Sequence, residues 1–243
     1  MSICIQSENV IFDRQQSIID HGWAFIPCIA EEVKAKPFEL NGFAASWNHL
    51  PKDPYMPSEV CSRYRRFQRF DLDVTRRQLN PSSDRRFFQG EDINSAFGGI
   101  NREFAPMDAN VRDSRVLGEL IFGALDVIPL GRREKVTSVN VHQIRIIASE
   151  DIIGLPTPEG IHQDGHDFVA QVMINRFDVK RAISNIYDLD KNLIGKLELR
   201  LPLEAIVVDD ARVFHSVDPV TSRYQAQGCT RDMLLIDFNG KEG

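Results

Sequence analysis

The stretch Ile161-His162-Gln163-Asp164 places two side chains that can bind a metal two residues apart, in a part of the chain rich in strand-forming residues. Side chains on a strand alternate between its two faces. His162 and Asp164 are therefore predicted to project to the same side of a strand, with Gln163 turned away. One more ligand from a neighbouring strand would complete a three-point binding face.

His215, in the segment Val213-Phe214-His215, is the predicted third ligand, because it follows an apolar strand and a turn. Two histidines and one carboxylate on one face of an octahedron leave three positions open, which is the arrangement of non-haem Fe(II) oxygenases. Arg231 lies 16 positions after His215 and begins another apolar strand. A His-x-Asp pair alone is common by chance, and the ordered series His-x-Asp, His and Arg is what favours a metal site.

The composition is that of a folded enzyme-sized domain. Of the 243 residues, 42% are hydrophobic, enough for a sizeable core. This length predicts a single domain over residues 1–243. Its N-terminal part, to about residue 135, mixes helices and strands, and its main β-rich half covers about 136–238. A net charge of −6 without a polybasic segment argues against a nucleic-acid-binding function.

The four cysteines show no C-x-x-C spacing, which is typical of a protein in a reducing compartment rather than of a disulfide framework. No signal-peptide pattern is visible, and no apolar window of about eighteen residues could span a membrane. We therefore expect a cytoplasmic protein that does not associate with membranes.

Short strands separated by polar turns dominate the second half of the chain. This pattern predicts a mainly β protein with flanking helices (α+β), built on an antiparallel double-stranded β-helix, or jelly roll, of the cupin-like kind. Helices are predicted over Glu8–His21, over Val111–Ile128, and within Glu31–His49 with breaks near Pro37 and Gly42. The predicted strands are Trp23–Ile26, Cys61–Val74, Arg85–Gln89, Val139–Ala148, Phe168–Ile174, Ser184–Leu189, Leu197–Arg200, Glu204–Val208, Val213–His215 and Arg231–Phe238.

Several segments outside the metal motif indicate which family the chain resembles. They are Cys61-Ser62-Arg63-Tyr64-Arg65, Gly98-Gly99-Ile100-Asn101-Arg102-Glu103-Phe104, Val141-His142-Gln143-Ile144-Arg145, Phe168-Val169, Val213-Phe214-His215-Ser216-Val217-Asp218-Pro219-Val220 and Thr230-Arg231-Asp232-Met233-Leu234-Leu235. With them, the chain from about Cys61 to Phe238 resembles the L-isoleucine dioxygenase family, the Fe(II)- and 2-oxoglutarate-dependent hydroxylases of free L-amino acids. One departure is that the Gly-Gly pair usual after the Phe168 strand is replaced by Lys180-Arg181-Ala182-Ile183-Ser184, which leaves the shape of the substrate-side loop open.

The resemblance implies that His162, Asp164 and His215 hold Fe(II), which 2-oxoglutarate chelates before O2 binds. Arg231 would bind the far carboxylate of 2-oxoglutarate, because a guanidinium pairs bidentately with a carboxylate and stays charged. The alternative for Arg231 is a surface salt bridge. Related halogenases carry a small residue at the carboxylate position, so Asp164 favours hydroxylation. The products would be succinate, CO2 and a hydroxylated substrate, with ascorbate as the expected reductant in vitro.

A free amino acid needs partners for its two charged groups. Arg63 or Arg65 is predicted to bind the substrate carboxylate, and His142, Gln143 and Arg145 are predicted to line the pocket. The alternative for each residue is cross-strand pairing within the sheet. Isoleucine, leucine, methionine or a similar side chain is the expected substrate, and the assembly is left open between monomer and homodimer.

Two other functions compete with this one. The same chemistry could act on a larger or tethered metabolite, an alternative that the altered segment at residues 180–184 motivates. A jelly-roll protein could also bind a metal as a sensor without catalysis, because fold alone does not decide function. Arg231 argues against the sensor, since a metal sensor has no need of a carboxylate anchor.

Overall fold

A computed structural model of the chain describes residues 13–29, 36–56, 62–91, 93, 98–224 and 228–240. Within them, two antiparallel sheets pack face to face. The larger sheet has seven strands in the order β1-β10-β7-β12-β6-β2-β3, and the smaller has the order β11-β8-β9. β4 and β5 form a separate pair. The predicted jelly-roll architecture with flanking helices is confirmed.

The strands are β1 (Trp23–Ile26), β2 (Arg63–Asp73), β3 (Gln78–Pro81), β4 (Arg86–Phe87), β5 (Arg102–Glu103), β6 (Val136–Ala148), β7 (Phe168–Phe177), β8 (Ser184–Tyr187), β9 (Leu193–Leu197), β10 (Ala205–Asp209), β11 (Phe214–Val217) and β12 (Cys229–Gly240). The described part of helix α1 covers residues 13–21. The other helices are α2 (Pro37–Ala45), a 3-10 turn (Ser46–His49), α3 (Ala109–Arg112), α4 (Arg115–Val127) and α5 (Leu130–Arg133).

The larger sheet buries both of its faces, and strand alternation divides its side chains between two cores. On one face, Val141, Val172 and Leu234 pack with the apolar side of α4 in the main core. On the other face, Val169 and Met173 pack against residues of the smaller sheet and its connections. Burial of apolar side chains on both faces stabilises the long central strands. The candidate site lies on the second face, between the sheets.

Helix α4 begins after a serine cap and ends before a proline. The Ser114 hydroxyl accepts a hydrogen bond from Leu117 N at 3.2 Å, which satisfies one of the helix's unpaired amides. Because this cap starts a new helix, the predicted helix Val111–Ile128 is divided into α3 and α4. Ile128 is extended, as expected for a residue that precedes proline.

The region before β2 also differs from its prediction. Pro37 and Gly42 were expected to break the helix, but Pro37 is the first residue of α2 and Gly42 lies inside it. Proline suits the first helical turn because the N–H that it lacks would have no partner there. Residues 8–12 and 31–35, like Cys61, lie outside the described residues.

One strand is displaced from its predicted position, and one helix end agrees with its prediction. The strand predicted over Leu197–Arg200 is shifted toward the N-terminus and forms β9. Gly22 ends α1 with a φ of +78°, as predicted for a helix C-cap, and a Cβ there would lie 2.8 Å from Val213 Cγ1. None of the described helices is long and apolar enough to cross a membrane.

Candidate active site

Three potential metal ligands converge between the sheets. The ligand atoms of His162, Asp164 and His215 all lie within 4.8 Å of one another. His215 Nε2 is 3.2 Å from Asp164 Oδ2, and His162 Nε2 is 3.5 Å from Asp164 Oδ1. Donors on one face of an octahedron with bonds of about 2.1 Å lie about 3 Å apart, so these separations suit a single metal ion.

The tautomer of His162 also suits a metal ligand. Its Nδ1 lies 3.0 Å from the carbonyl oxygen of Gly160, which can only accept, so Nδ1 carries the hydrogen. Nε2, the ring atom that faces Asp164, is then the one left to bind a metal ion. A carbonyl that fixes the ring of a metal-binding histidine in this way is a frequent feature of metal sites.

The backbone of this motif is not the strand that the sequence predicts. His162 forms only an isolated bridge with His215, and Asp164 lies in a loop. The predicted common orientation of the two ligands is nevertheless found, because other contacts hold the loop. The prediction of a strand around His162 is therefore wrong, although the ligand atoms do lie close together.

Asp210 is the residue that holds the loop. Its carboxylate accepts hydrogen bonds from the backbone N–H groups of Asp164 at 3.0 Å, Gly165 at 2.7 Å and His166 at 3.1 Å. The turn needs a φ of +80° at Gly165, which glycine adopts without strain. Sequence reasoning assigned Asp210 only to a turn, and no local pattern marks its three amide partners.

Without a metal ion, protons would occupy the space between the ligands. Burial alone would lower the pKa of His215, but the facing Asp164 carboxylate outweighs it and raises the pKa to about 10. Burial would raise the pKa of Asp164, but the two histidines hold that pKa well below its usual range. A dication that replaces the shared protons would satisfy all three groups, so the donor set fits a divalent metal.

Arg231 is buried in the same cavity, only 3% exposed. Its Nε and Nη2 make no hydrogen bond to a described residue. Burial, with Arg176 nearby, lowers the pKa of Arg231 to about 10. The alternative of a surface salt bridge does not hold, because the side chain is buried and has no carboxylate partner in the described part of the chain. A buried guanidinium of this kind calls for an anionic ligand.

Strand register arranges the cavity wall in rows. Paired residues on neighbouring strands point to the same face, so Arg231 of β12, Ile146 of β6 and Arg63 of β2 form one row. Two residues further along, Met233, Ile144 and Arg65 form the next row. The cavity is lined by members of both rows.

Three arginines, here called the arginine wall, lie on one side of the cavity: Arg63, Arg65 and Arg102. Arg63 Nε is 2.7 Å from Asp53 Oδ2. The Arg65 guanidinium lies 4.1 Å from the centre of the Phe104 ring. Arg102 donates to the side chain of Gln89. Sequence reasoning identified Arg63 and Arg65 but missed Arg102, whose segment was used only for the family resemblance.

His142 lines the cavity next to Arg65 and belongs to a buried network, as the sequence predicts for its position at the pocket. Nη2 of Arg65 lies 2.7 Å from His142 Nδ1, and His142 Nε2 lies 3.1 Å from Asp237 Oδ2. Arginine can only donate, so Nδ1 accepts and Nε2 donates to Asp237. Burial, followed by the charge of Arg65, lowers the pKa of His142 well below its usual value. His142 is therefore a neutral spacer that orients Arg65.

Gln143 and Arg145 do not line the cavity. Both lie on the opposite face of β6, where Gln143 donates to Ser46 Oγ and Arg145 pairs with Asp232. The prediction that they line the pocket is corrected, because in a regular strand the neighbours of His142 and Ile144 must face the other way.

The altered segment at residues 180–184 also lies away from the site, and none of its residues is among those that line the cavity. The replacement of the usual Gly-Gly pair is visible in the backbone of this segment. Buried Ala182 has a φ of +87°, a conformation that glycine adopts more easily.

Comparison with known proteins gives a family and a fold. The model of a family described as 2OG-Fe dioxygenase matches residues 44–237. Among curated proteins, the bifunctional enzyme flvA of Aspergillus flavus is 24% identical over 234 residues, covering 86% of this chain and 28% of that protein. The chain therefore spans less than a third of that relative's length.

Three solved structures share the fold over nearly the whole chain. A bsmA homolog from Methylobium petroleophilum PM1 has a TM-score of 0.84 at 23% identity, covering 95% of this chain and 93% of that one. IDO from Bacillus thuringiensis has a TM-score of 0.77 at 17% identity, covering 96% of each chain. The Fe(II)/(alpha)ketoglutarate-dependent dioxygenase TqaL has a TM-score of 0.71 at 17% identity, covering 96% and 87%.

Proposed function

Because the chain belongs to the 2OG-Fe dioxygenase family, an enzyme family, we propose that it is an Fe(II)- and 2-oxoglutarate-dependent hydroxylase of a free aliphatic L-amino acid. The observation that carries this proposal is the convergence of His162, Asp164 and His215 in a cavity that also holds the buried guanidinium of Arg231, whose Nε and Nη2 have no hydrogen-bond partner among the described residues.

The two histidines and Asp164 would hold Fe(II) through one nitrogen each and one carboxylate oxygen. When bound, the iron with 2-oxoglutarate supplies O2 activation coupled to decarboxylation, which yields succinate and CO2. The chain's own task is to keep the three ligands on one face so that three positions stay open. Asp164 occupies the carboxylate position, which favours hydroxylation.

Arg231 would bind the far carboxylate of 2-oxoglutarate. Its guanidinium is buried, so the ion pair forms away from water and is stronger than a surface pair. The carboxylate in turn would satisfy the unpaired N–H groups of Arg231. The apolar side chains beside it, Ile146 and Met233, would exclude water from this ion pair.

The arginine wall supports an anionic substrate. Arg63 and Arg65 would bind the α-carboxylate of the amino acid, with Arg102 as a third donor in the same wall. His142 takes part by orienting Arg65 rather than by contacting the substrate. Ile144, Met233 and Leu235 offer apolar contacts for an aliphatic side chain such as that of isoleucine, leucine or methionine.

The competing functions have less support. A larger or tethered metabolite was motivated by residues 180–184, which do not line the cavity. A metal sensor without catalysis does not account for a buried arginine that lacks a carboxylate partner in the described part of the chain. Whether the protein is a monomer or a homodimer does not enter the proposal.

A mass-spectrometric screen tests the proposed function. Purified protein is incubated with Fe(II), ascorbate, 2-oxoglutarate and each L-amino acid in turn, and succinate and an added oxygen atom are followed together. We expect succinate in step with one oxygenated amino acid. The variant His162→Ala is expected to lose both signals, and Gln143→Ala, on the outer face of β6, is the matched control.

The outcomes separate the competing functions. Succinate without an oxygenated amino acid would keep the oxygenase chemistry and move the search to larger metabolites. No succinate from iron-loaded protein would contradict the enzyme and favour the sensor. Activity that survived His162→Ala would show that the ligand assignment is wrong.

A further inference from the structure

Gln171 is the one polar residue in the otherwise apolar run Phe168–Ile174, and the function proposed above does not use it. Alternation along β7 turns its side chain to the same face as Val169 and Met173, which lies between the two sheets. Gln171 is 6% exposed, and it lines the cavity that holds the candidate metal ligands. The strand therefore brings a single amide to the cavity.

The surroundings of Gln171 within the sheet are apolar. Its partners on the neighbouring strands are Ile206 of β10 and Leu235 of β12. The amide makes no hydrogen bond to any residue that the structure describes. A buried amide without a hydrogen-bond partner is unfavourable. A ligand in the cavity that formed a hydrogen bond with Gln171 would remove that cost.

The position of Gln171 across the sheet separates it from the arginine wall. Beneath the cavity the strands follow the order β7-β12-β6-β2. Neighbouring strands lie about 4.8 Å apart, so β7 is about 14 Å from β2, which carries Arg63 and Arg65. Arg231 is on β12, directly beside β7. Gln171 therefore lies on the side of the proposed co-substrate anchor, away from the proposed site of the substrate carboxylate.

The position of Gln171 along the sheet indicates which end of the co-substrate it faces. Gln171 pairs with Leu235, which lies about 13 Å along β12 from Arg231. The next inward residue of β12 is Asp237, and its Oδ2 lies 3.3 Å from Nε2 of His166, in the loop that carries two of the candidate metal ligands. A 2-oxoglutarate molecule whose far carboxylate is bound by Arg231 would therefore have Gln171 beside its other end.

We propose that the side-chain NH2 of Gln171 donates a hydrogen bond to the 1-carboxylate of 2-oxoglutarate, while Arg231 binds the far carboxylate. This inference rests on the proposed function and specifies how its co-substrate is recognised. Fe(II) and Arg231 carry three positive charges, which Asp164 and 2-oxoglutarate balance. An amide suits the site because it donates to the carboxylate without adding a charge.

The two contacts recognise different parts of the co-substrate. Succinate keeps the far carboxylate but lacks the 1-carboxylate, which leaves as CO2. Arg231 would therefore bind both the co-substrate and the product, whereas Gln171 would bind only the co-substrate. The hydrogen bond of Gln171 would favour 2-oxoglutarate over succinate in the same site.

Calorimetric titration tests the proposal without turnover. The protein is loaded with Ni(II) in place of Fe(II) and is titrated with 2-oxoglutarate and, separately, with succinate. Gln171→Met keeps an unbranched side chain of similar length and removes the amide. We expect this variant to bind 2-oxoglutarate about tenfold or more weakly than wild type, as for the loss of one charge-assisted hydrogen bond, and to bind succinate and Ni(II) within about twofold of wild type.

Two further variants keep the test independent of one substitution. Gln171→Asn retains the amide but withdraws it by one methylene, so it should also lose affinity for 2-oxoglutarate and not for succinate. Gln143→Met is the matched control, because Gln143 is also buried but lies on the outward face of β6. It should bind both ligands as wild type does. Arg231→Met, by contrast, should bind both ligands more weakly.

Unchanged affinity of Gln171→Met for 2-oxoglutarate would overturn the proposal. An equal loss of affinity for 2-oxoglutarate and succinate would also overturn it, because Gln171 would then act on the part that the two ligands share. Loss of Ni(II) from Gln171→Met would do the same, because the amide would then act on the metal. A wild-type protein that failed to bind 2-oxoglutarate would instead refute the proposed function, so the two failures are distinguishable.

Discussion

The strand predicted around His162 was expected to orient the candidate metal ligands. In the structure a single carboxylate, that of Asp210, holds the loop that carries them instead. It accepts three backbone hydrogen bonds from the loop that carries Asp164, and its Oδ1 lies 3.7 Å from His215 Nε2. Asp210 therefore contacts the segments of two of the three ligands. Its role is to position them.

We expect Asp210→Asn to weaken metal binding about tenfold or more, as the loss of groups that orient metal ligands usually does. An asparagine offers one acceptor oxygen and an NH2 group, which cannot accept from an amide. Calorimetric titration of the metal-free protein with Mn(II) measures the effect. Asp209→Asn is the matched control, since its neighbouring carboxylate is equally buried and pairs with Arg132 instead. An equal loss in both variants would reduce Asp210 to a general stabilising role.

Arg231 permits a second prediction at this scale. Arg231→Met should weaken 2-oxoglutarate binding by roughly a hundredfold, or about 3 kcal/mol, because a buried charge-assisted pair is lost. The free energy of unfolding should not fall, since the variant removes a buried charge without a carboxylate partner in the described residues. Titration with 2-oxoglutarate and urea unfolding give the two values, with Arg200→Met as a surface control. An unchanged affinity would show that Arg231 does not bind the far carboxylate of 2-oxoglutarate and would favour Arg63, which lies in the same row.

At the scale of the element, strand β6 shows how one element serves two purposes. Its inward residues His142, Ile144 and Ile146 line the cavity, and its outward residues Gln143 and Arg145 tie it to the segment around the 3-10 turn. The period of two was visible in the sequence. Which of the two sets faces the cavity was not, because both contain polar residues that suit a binding site.

The outward ion pair of β6 predicts a pH-dependent stability. Burial raises the pKa of Asp232, and the bidentate contact of Arg145 at 2.6 Å and 2.7 Å opposes that rise. In Arg145→Met the pKa would rise further, and the folded protein would then favour protonated Asp232. Stability of the variant should therefore be greatest at low pH and be lost as pH rises from about 4 through the folded pKa.

Urea unfolding at pH 5 and pH 8 checks this sign. The free energy of unfolding of Arg145→Met should be lower than that of wild type by about 3 kcal/mol at pH 8 and by less at pH 5, as for removal of one partner of a buried pair. The double variant Arg145→Met with Asp232→Asn has no carboxylate at this position, so its loss relative to wild type should not grow between pH 5 and pH 8. If the loss of unfolding free energy in Arg145→Met grew toward low pH, the proposed role of the Arg145–Asp232 ion pair would be contradicted.

For the whole molecule, the candidate metal site links distant parts of the fold. His162 and Asp164 precede β7 while His215 lies on β11, so a bound metal joins segments about fifty residues apart in the chain. The unfolded chain cannot hold the ligands in this geometry, and metal binding therefore adds its free energy to folding.

A metal concentration of about one hundred times Kd should stabilise the protein by about 2.7 kcal/mol, which raises Tm by roughly 5–10 °C in a chain of this size. Differential scanning calorimetry with Mn(II), before and after addition of a chelator, measures the shift. His162→Ala should show no shift at the same metal concentration, and an equal shift in that variant would place the metal elsewhere.

The sequence by itself determined the strand-rich second half and the helical segment that contains α4, and it identified His162, Asp164, His215 and Arg231, in that order, as candidate site residues. These features depend on local periodicity and residue chemistry, which a linear pattern carries. Only the tertiary structure decided that Asp210 holds the ligand loop, that Gln171 faces the cavity, and that Gln143 and Arg145 do not. Each of these depends on which segments, far apart in the chain, are paired and in what register, and a shift of one residue would exchange the two faces of a strand.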